Sequence, residues 1–220
     1  RSLFRLAGQT TLVADLVEQA GIAGTGILVA GHEEPIGGGA TLQAVQGSCG
    51  GQALPALFAH PPWQGAAAGG ETYAEYSLSF PAGGRTVLRF ATGLADLTDP
   101  AEIARDRETP LSDGATFAVL ADGKEVFRQH RTRGAWAWHE VDLSALGGRT
   151  ASLRLVTGPG PRSDVSWDWA LWGQPRVVRA EGGDALTVRV FSPHGAGTPI
   201  FGVCLGGQLL CHAAGGVVSS

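Results

Sequence analysis

The sequence predicts an all-β fold, a sandwich or a barrel. Apolar residues recur with period two along most of the chain, and clusters of Gly, Pro, Ser and Asp interrupt them about every ten residues. Regular strands at that spacing are the pattern of sandwiches and barrels, whereas α/β chains alternate strands with long helical stretches.

Taken in order, residues 12–20 carry Leu12, Val13, Leu16 and Val17 at helical spacing and predict a short helix ended by Gly21. In residues 73–80, Tyr76, Leu78 and Phe80 alternate with Glu75, Ser77 and Ser79, which gives a strand with one buried face. Ala82-Gly83-Gly84 then turns the chain into a partner strand whose Leu88 and Phe90 face the same core. Residues 96–113 read as a polar connection with one helical turn at 101–104. Asp122-Gly123 marks a tight hairpin, because both turn positions want positive φ, and it sets Val119 across from Val126. Strands follow at 138–143, 153–156, 165–172 and 186–191. The segment 165–172 holds three of the six tryptophans and places Asp168 between Trp167 and Trp169. A carboxylate buried there needs donors, so Asp168 is expected to anchor backbone or indole N–H groups.

A boundary is expected near residues 177–183. Beyond it, strands at 186–191, 200–205, 208–211 and 216–219 form a unit too small to fold alone, which must dock on the N-terminal part or on a neighbouring subunit.

Composition narrows the function. The formal net charge of −4, without any basic run, argues against a nucleic-acid partner. No stretch of apolar residues is long enough to span a bilayer. The chain starts at Arg1 and has no methionine, so it is expected to be a processed product from which an export segment was removed, hence secreted or displayed at the cell surface. Lys124 stands against fifteen arginines and asparagine is absent, a composition compatible with life at high temperature. Cys49, Cys204 and Cys211 are odd in number; the expectation is a long-range disulfide from Cys49 to one of the other two, with an intermolecular bond as the alternative.

Several segments carry a family pattern: Gly93-Leu94-Ala95-Asp96, Ser112-Asp113-Gly114-Ala115-Thr116-Phe117, Ala121-Asp122-Gly123-Lys124-Glu125-Val126-Phe127, Val141-Asp142-Leu143-Ser144, Leu153-Arg154-Leu155-Val156 and Trp167-Asp168-Trp169-Ala170. Through them the chain resembles the galactose-binding-like jelly rolls, in particular the NPCBM carbohydrate-binding modules attached to bacterial glycosidases. The resemblance implies a jelly-roll β-sandwich over residues 57–177, with residues 1–56 as an N-terminal segment of short helix and strands packed on it, and residues 178–220 as a small additional C-terminal β unit. It also implies sugar binding at loops on one end of the sandwich. Trp136, Trp138, Arg133, His130 and His139 are the local candidates, since an indole face stacks on sugar C–H groups while arginine and histidine bond hydroxyls. Alternation places Trp136 and Trp138 on one face of a strand, which leaves a core role open for both. Calcium is the cofactor the resemblance allows, with Asp96, Asp99 and Glu102, joined by Asp106, as oxygen donors; otherwise no cofactor is expected.

Other aromatic and reactive features read as structural. His60-Pro61-Pro62-Trp63 is expected to be a rigid corner with Trp63 packed on the sheet. Glu33 and Glu34 read as solvated loop acids. Residues 202–210 resemble the nucleophile elbow of class I glutamine amidotransferases around Cys204, but no His-x-Glu follows, and the segment reads as a hairpin turning at Gly206-Gly207. With no catalytic motif elsewhere, the expectation is a non-enzymatic module that recognises a glycan or cell-surface polysaccharide. The alternative is a self-assembling homo-oligomer or polymer, an extracellular filament or layer joined by strand pairing between subunits. An accessory fragment of a glycosidase is a remote third.

Overall fold

The computed structural model describes residues 10–180, and the expectations for residues 186–219, for Cys204 and Cys211, and for strand-mediated self-assembly fall outside them. Within the described residues lie strands β1 (Thr10–Asp15), β2 (Gly24–Val29), β3 (His32–Pro35), β4 (Thr41–Cys49), β5 (Gln52–His60), β6 (Glu71–Ser79) and β7 (Arg85–Leu94). One helix, α1 (Pro100–Glu108), follows, and then β8 (Ala115–Ala121), β9 (Lys124–Arg131), β10 (Ala137–Asp142), β11 (Thr150–Pro159) and β12 (Ala170–Ala180). They make two six-stranded antiparallel sheets. The first runs β10-β7-β12-β5-β4, with β1 beside β12; the second runs β3-β2-β6-β11-β8-β9. The fold is the expected all-β sandwich, two antiparallel sheets enclosing one core.

The core lies between the sheets. Trp172 and Phe90 come from the first sheet and Phe117 from the second, each almost wholly buried. Their rings meet with Phe90–Trp172 and Phe117–Trp172 centroids 5.2 and 5.1 Å apart. The one polar atom of Trp172 is satisfied across the sandwich, its Nε1–H donating to Thr157 Oγ1 at 2.9 Å. Tyr76, Leu78, Phe80 and Leu88 are buried in this same core, as the alternation requires.

Several local expectations change. Residues 12–20 form no helix; β1 is followed by turns and a 3-10 turn at Ala20–Ile22. The cause is Asp15, whose Oδ1 accepts from the Val17 and Glu18 amides at 3.0 and 3.3 Å, an Asx turn that competes with helical bonding, while Oδ2 pairs with Arg176 at 2.7 Å. Ala82-Gly83-Gly84 does not join neighbouring strands: β6 and β7 belong to opposite sheets, so this turn carries the chain over the sandwich edge. The Asp122-Gly123 turn has φ of 47° and 75°, as expected, but a bulge after Val119 pairs that residue with Phe127 rather than Val126. Glu33 and Glu34 lie on β3, and Glu33 accepts from Arg154 at 2.7 Å.

Strands that precede residue 57 are members of both sheets. β4 and β5 pair from Thr41↔His60 to Cys49↔Gln52, and β2 pairs with β6. β5 therefore runs through position 57, and β12 runs through position 177 to Ala180. Pairing of β12 with β5 covers Ala170 to Gly173; its register against β7 then shifts between Gly173 and Arg176, and the Pro175 carbonyl accepts from the Leu16 amide at 2.9 Å. A proline without an N–H belongs at such an irregularity.

Candidate functional site

The residues chosen from sequence do not converge. Trp136 is 8% exposed on the outer face of the first sheet, over Gly93 and Gly173, with its indole N–H donating to the Gln52 carbonyl at 2.8 Å. A Cβ at Gly173 would lie 2.9 Å from that indole ring, so the glycine is there to let the ring lie flat on the sheet. Trp138 shares the outer face but is 55% exposed. His139 points inward, its ring 5.2 Å from Phe90 and 4.9 Å from Phe127, and bonds Thr92 Oγ1 at 2.8 Å. Burial and the nearby Arg131 charge hold it toward the neutral form. Arg133 is half-buried; it donates to the Ala95 carbonyl and lies 3.4 Å from Asp106, tying the α1 segment to the β9–β10 connection. His130 sits on β9 opposite Thr116. Trp136 and His139 are thus packing residues, Arg133 is a clamp, and none of the five lines a cleft described below.

The acids offered for calcium are also apart. Asp96 accepts from the Gly50 and Gly51 amides at 2.7 and 2.9 Å and from the Ser48 hydroxyl at 2.7 Å. Burial opposes its charge, but these donors, led by Gly51, hold its carboxyl below the usual range. Asp99 caps α1 by accepting from the Ala101 amide at 2.8 Å, and Glu102 lies in the first turn of that helix. Among the described residues, no group of three or more His, Cys, Asp or Glu is placed to hold a metal ion. Cys49 is a free thiol with no exposure, and it donates to the Leu94 carbonyl at 3.1 Å instead of forming a disulfide. Burial pushes its pKa up to about 12.

The aromatic cleft lies at one end of the sandwich. It is about 710 Å³ and is walled by Phe58, His60, Trp63, Trp167 and Trp169, with Thr41 and Ser166 among its polar groups. Trp63 does not pack on the sheet as expected. It is 53% exposed, and its placement comes from the glycine run ahead of β4. The Gly38 carbonyl accepts from the Trp63 and Gln64 amides, both at 2.8 Å, and the Gly39 carbonyl accepts from the indole N–H at 3.1 Å. Gly39 has φ of +77°, and a Cβ there would come within 2.3 Å of the indole nitrogen. Only glycine allows this approach, so one ring face is braced by backbone.

On the opposite wall, residues 163–169 are a loop and not the expected strand. Asp164 accepts from the Ser166 amide at 2.9 Å, and Ser163 and Trp167 have φ of 56° and 61°. These turns break the alternation and bring Trp167 against Trp169, centroids 4.9 Å apart at 48°. The anchor under them is Asp168, with no exposure. Its Oδ1 accepts from the Ser112 hydroxyl at 2.6 Å, and no backbone or indole group serves it as expected; Oδ2 has no hydrogen-bond partner. The Gly160 amide is near enough to favour the anion without bonding it. Burial, with the charges of Asp113 and Asp164, outweighs these aids and raises the Asp168 pKa to about 7.

His60 completes the cleft chemistry. Its Nδ1 lies 2.7 Å from the Pro61 carbonyl, which can only accept, so the proton sits on Nδ1 and Nε2 is left as an acceptor. Burial lowers its pKa and favours this neutral form. The arrangement therefore offers indole faces, a neutral imidazole acceptor and hydroxyls, and no strong charge.

Part of the frame is similar to known proteins. Residues 87–178 match the NPCBM/NEW2 domain. This NPCBM/NEW2 match runs from within β7 to near the end of β12 and includes Trp167 and Trp169 but not Trp63. An uncharacterized protein of Archaeoglobus fulgidus is 36% identical over 101 residues, 41% of this chain and 23% of that protein, so the chain spans under a quarter of that relative. Among solved structures, the CBM51 of a Clostridium perfringens GH95 protein, in complex with methyl-galactose, is 14% identical with a TM-score of 0.39, covering 77% of this chain and 88% of that one. The CBM22-1 xylan-binding domain of Paenibacillus barcinonensis Xyn10C is 14% identical with a TM-score of 0.40, covering 82% and 100%. The K1 cleaved adhesin domain of Lys-gingipain from Porphyromonas gingivalis is 13% identical with a TM-score of 0.46, covering 80% and 100%. The sequence signal for Trp63 was its place in a Pro-Pro-Trp turn opposite a triple glycine, but no linear spacing joins positions 39, 63 and 167.

Proposed function

We propose that this chain is a non-catalytic, exported carbohydrate-binding module that holds a glycan in the aromatic cleft. The observation that carries the reading is the cluster of Trp63, Trp167 and Trp169 around one cleft that the core does not need. Sugars present C–H patches that lie on indole faces, ringed by hydroxyls that seek acceptors and donors. Here the faces come from the three tryptophans, and the bonding groups are His60 Nε2 and the hydroxyls of Thr41 and Ser166. The bracing of Trp63 by the Gly38–Gly39 backbone means that little side-chain freedom is lost when ligand binds, which favours affinity.

A glycan array probed with wild type and with Trp63→Ala tests this. The wild type is expected to bind a defined set of glycans, and Trp63→Ala to lose at least about tenfold in affinity for them, as truncation of a central aromatic contact does. Unchanged binding by Trp63→Ala would remove the cleft from the account.

A further inference from the structure

Trp167 separates two clefts. Beside the aromatic cleft lies a second space of about 460 Å³, bounded by Arg105, Glu108 and Thr109 at the end of α1, by Pro110 and Leu111 after it, and by Asp164, Ser166 and Trp167 of the β11–β12 loop. Ser166 and Trp167 belong to both walls, so the two spaces adjoin across a single residue pair. Their chemistry differs. The aromatic cleft presents rings on several sides, whereas the second has Trp167 as its one aromatic wall, Pro110 and Leu111 as its aliphatic part, and the polar side chains of Arg105, Glu108, Thr109, Asp164 and Ser166.

We propose that the two clefts are adjoining subsites for one neutral oligosaccharide, with Trp167 as their common wall. This rests on the glycan reading of the aromatic cleft. One sugar unit stacks between the tryptophans, and the next passes over Trp167 into the second cleft, where its hydroxyls meet Arg105, Glu108, Asp164 and Thr109. A guanidinium beside carboxylates suits a polyhydroxylated ligand, because each hydroxyl donates to an acid and accepts from the arginine at once.

The charges define the class. His60 is the titratable lining residue of the aromatic cleft and is held toward neutrality by burial. In the second cleft one cation, Arg105, faces two acids, Glu108 and Asp164, and the Ser166 hydroxyl and amide, with the Arg162 charge, outweigh the opposing effect of burial and hold the Asp164 pKa below the usual range. The net charge is negative, which opposes uronic or sulfated units and admits uncharged ones. The single free unit, by contrast, fills only the first space and forgoes the polar contacts beyond Trp167.

Calorimetric titration with three neutral series separates the possibilities: galactose and lactose, xylose and xylohexaose, N-acetylglucosamine and chitotriose, with an oligogalacturonate as the charged control. For the series that binds, affinity is expected to rise about tenfold or more from single unit to oligomer. The double variant Arg105→Ala/Glu108→Ala, both exposed on α1, is expected to bring the oligomer down to the single-unit affinity while leaving the single unit within about twofold. Equal affinity for single unit and oligomer, a length increment that survives the double variant, or preference for the oligogalacturonate would each overturn the proposal and leave the aromatic cleft standing. Absence of binding to every sugar would instead overturn the glycan reading itself, and this inference with it.

Discussion

Asp168 makes the stability of the sandwich depend on pH in a direction opposite to that of most carboxylates. Its pKa is raised from 3.8 to about 7 in the folded protein by burial and by the charges of Asp113 and Asp164. Below pH 3.8 both states hold the proton; between pH 3.8 and about 7 the unfolded chain has lost it and the folded chain has not. Stability therefore falls as pH rises through that window and levels off above it, because the native state binds more protons than the unfolded one. A shift of about three units at ~1.4 kcal/mol each gives a ceiling of about 4 kcal/mol, and relaxation around the ionised group reduces this to roughly 2 kcal/mol. Substitution by asparagine keeps the shape and an acceptor for the Ser112 hydroxyl but removes the ionisation. In thermal unfolding followed by circular dichroism, Asp168→Asn is expected to match wild type at about pH 3.8 and below, to draw ahead as pH rises through the window, and to exceed it at pH 8 by about 4–8 °C, at about 2–4 °C per kcal/mol for a chain of this size. Parallel pH profiles for the two proteins, or a variant less stable than wild type at pH 8, would refute the reasoning, for Asp168 would then carry a satisfied charge.

Other expectations follow from the same geometry. Trp136→Ala removes a ring buried over Gly93 and Gly173 and should cost about 3–5 kcal/mol in urea unfolding, whereas Trp138→Ala, on an exposed ring, should stay within about 0.5 kcal/mol. Gly39→Ala places a methyl against the Trp63 indole at positive φ; it should cost about 1–3 kcal/mol and weaken glycan binding along with the stability loss. Cys49, buried and with its pKa pushed up to about 12, should resist iodoacetamide at pH 8 in the native protein and react once urea unfolds it, as read by peptide mapping.

The sandwich was legible in the sequence where burial is one-sided. Tyr76, Leu78, Phe80, Leu88 and Phe90 alternate because one face meets the core and the other meets solvent, and that period survives in the structure. Which strands share a sheet was not legible, since Ala82-Gly83-Gly84 serves equally as a hairpin or as a crossing between sheets. A short apolar run such as 12–17 fits helix and strand alike, and the Asx turn at Asp15 decided it. The Trp136 and Trp138 alternation was read correctly as one face. That face, however, is the outer side of a sheet edge, where Trp136 covers glycines and Trp138 stays exposed. The cleft itself was hidden because its parts come from the β3–β4, β5–β6 and β11–β12 connections, and only the fold brings Gly39, Trp63 and Trp167 together. The Trp167-Asp168-Trp169 segment drew notice as a strand, and the positive φ values that make it a loop leave no periodic trace.

The six tryptophans give the central claim a direct readout, since each contributes one indole N–H signal to a nitrogen–proton correlation spectrum. Titrating the labelled protein with the glycan that binds it best is predicted to shift the signals of Trp63, Trp167 and Trp169 and to leave those of Trp136, Trp138 and Trp172 in place. Shifts confined to Trp136 and Trp138 would contradict the account and move recognition to the outer face of the first sheet.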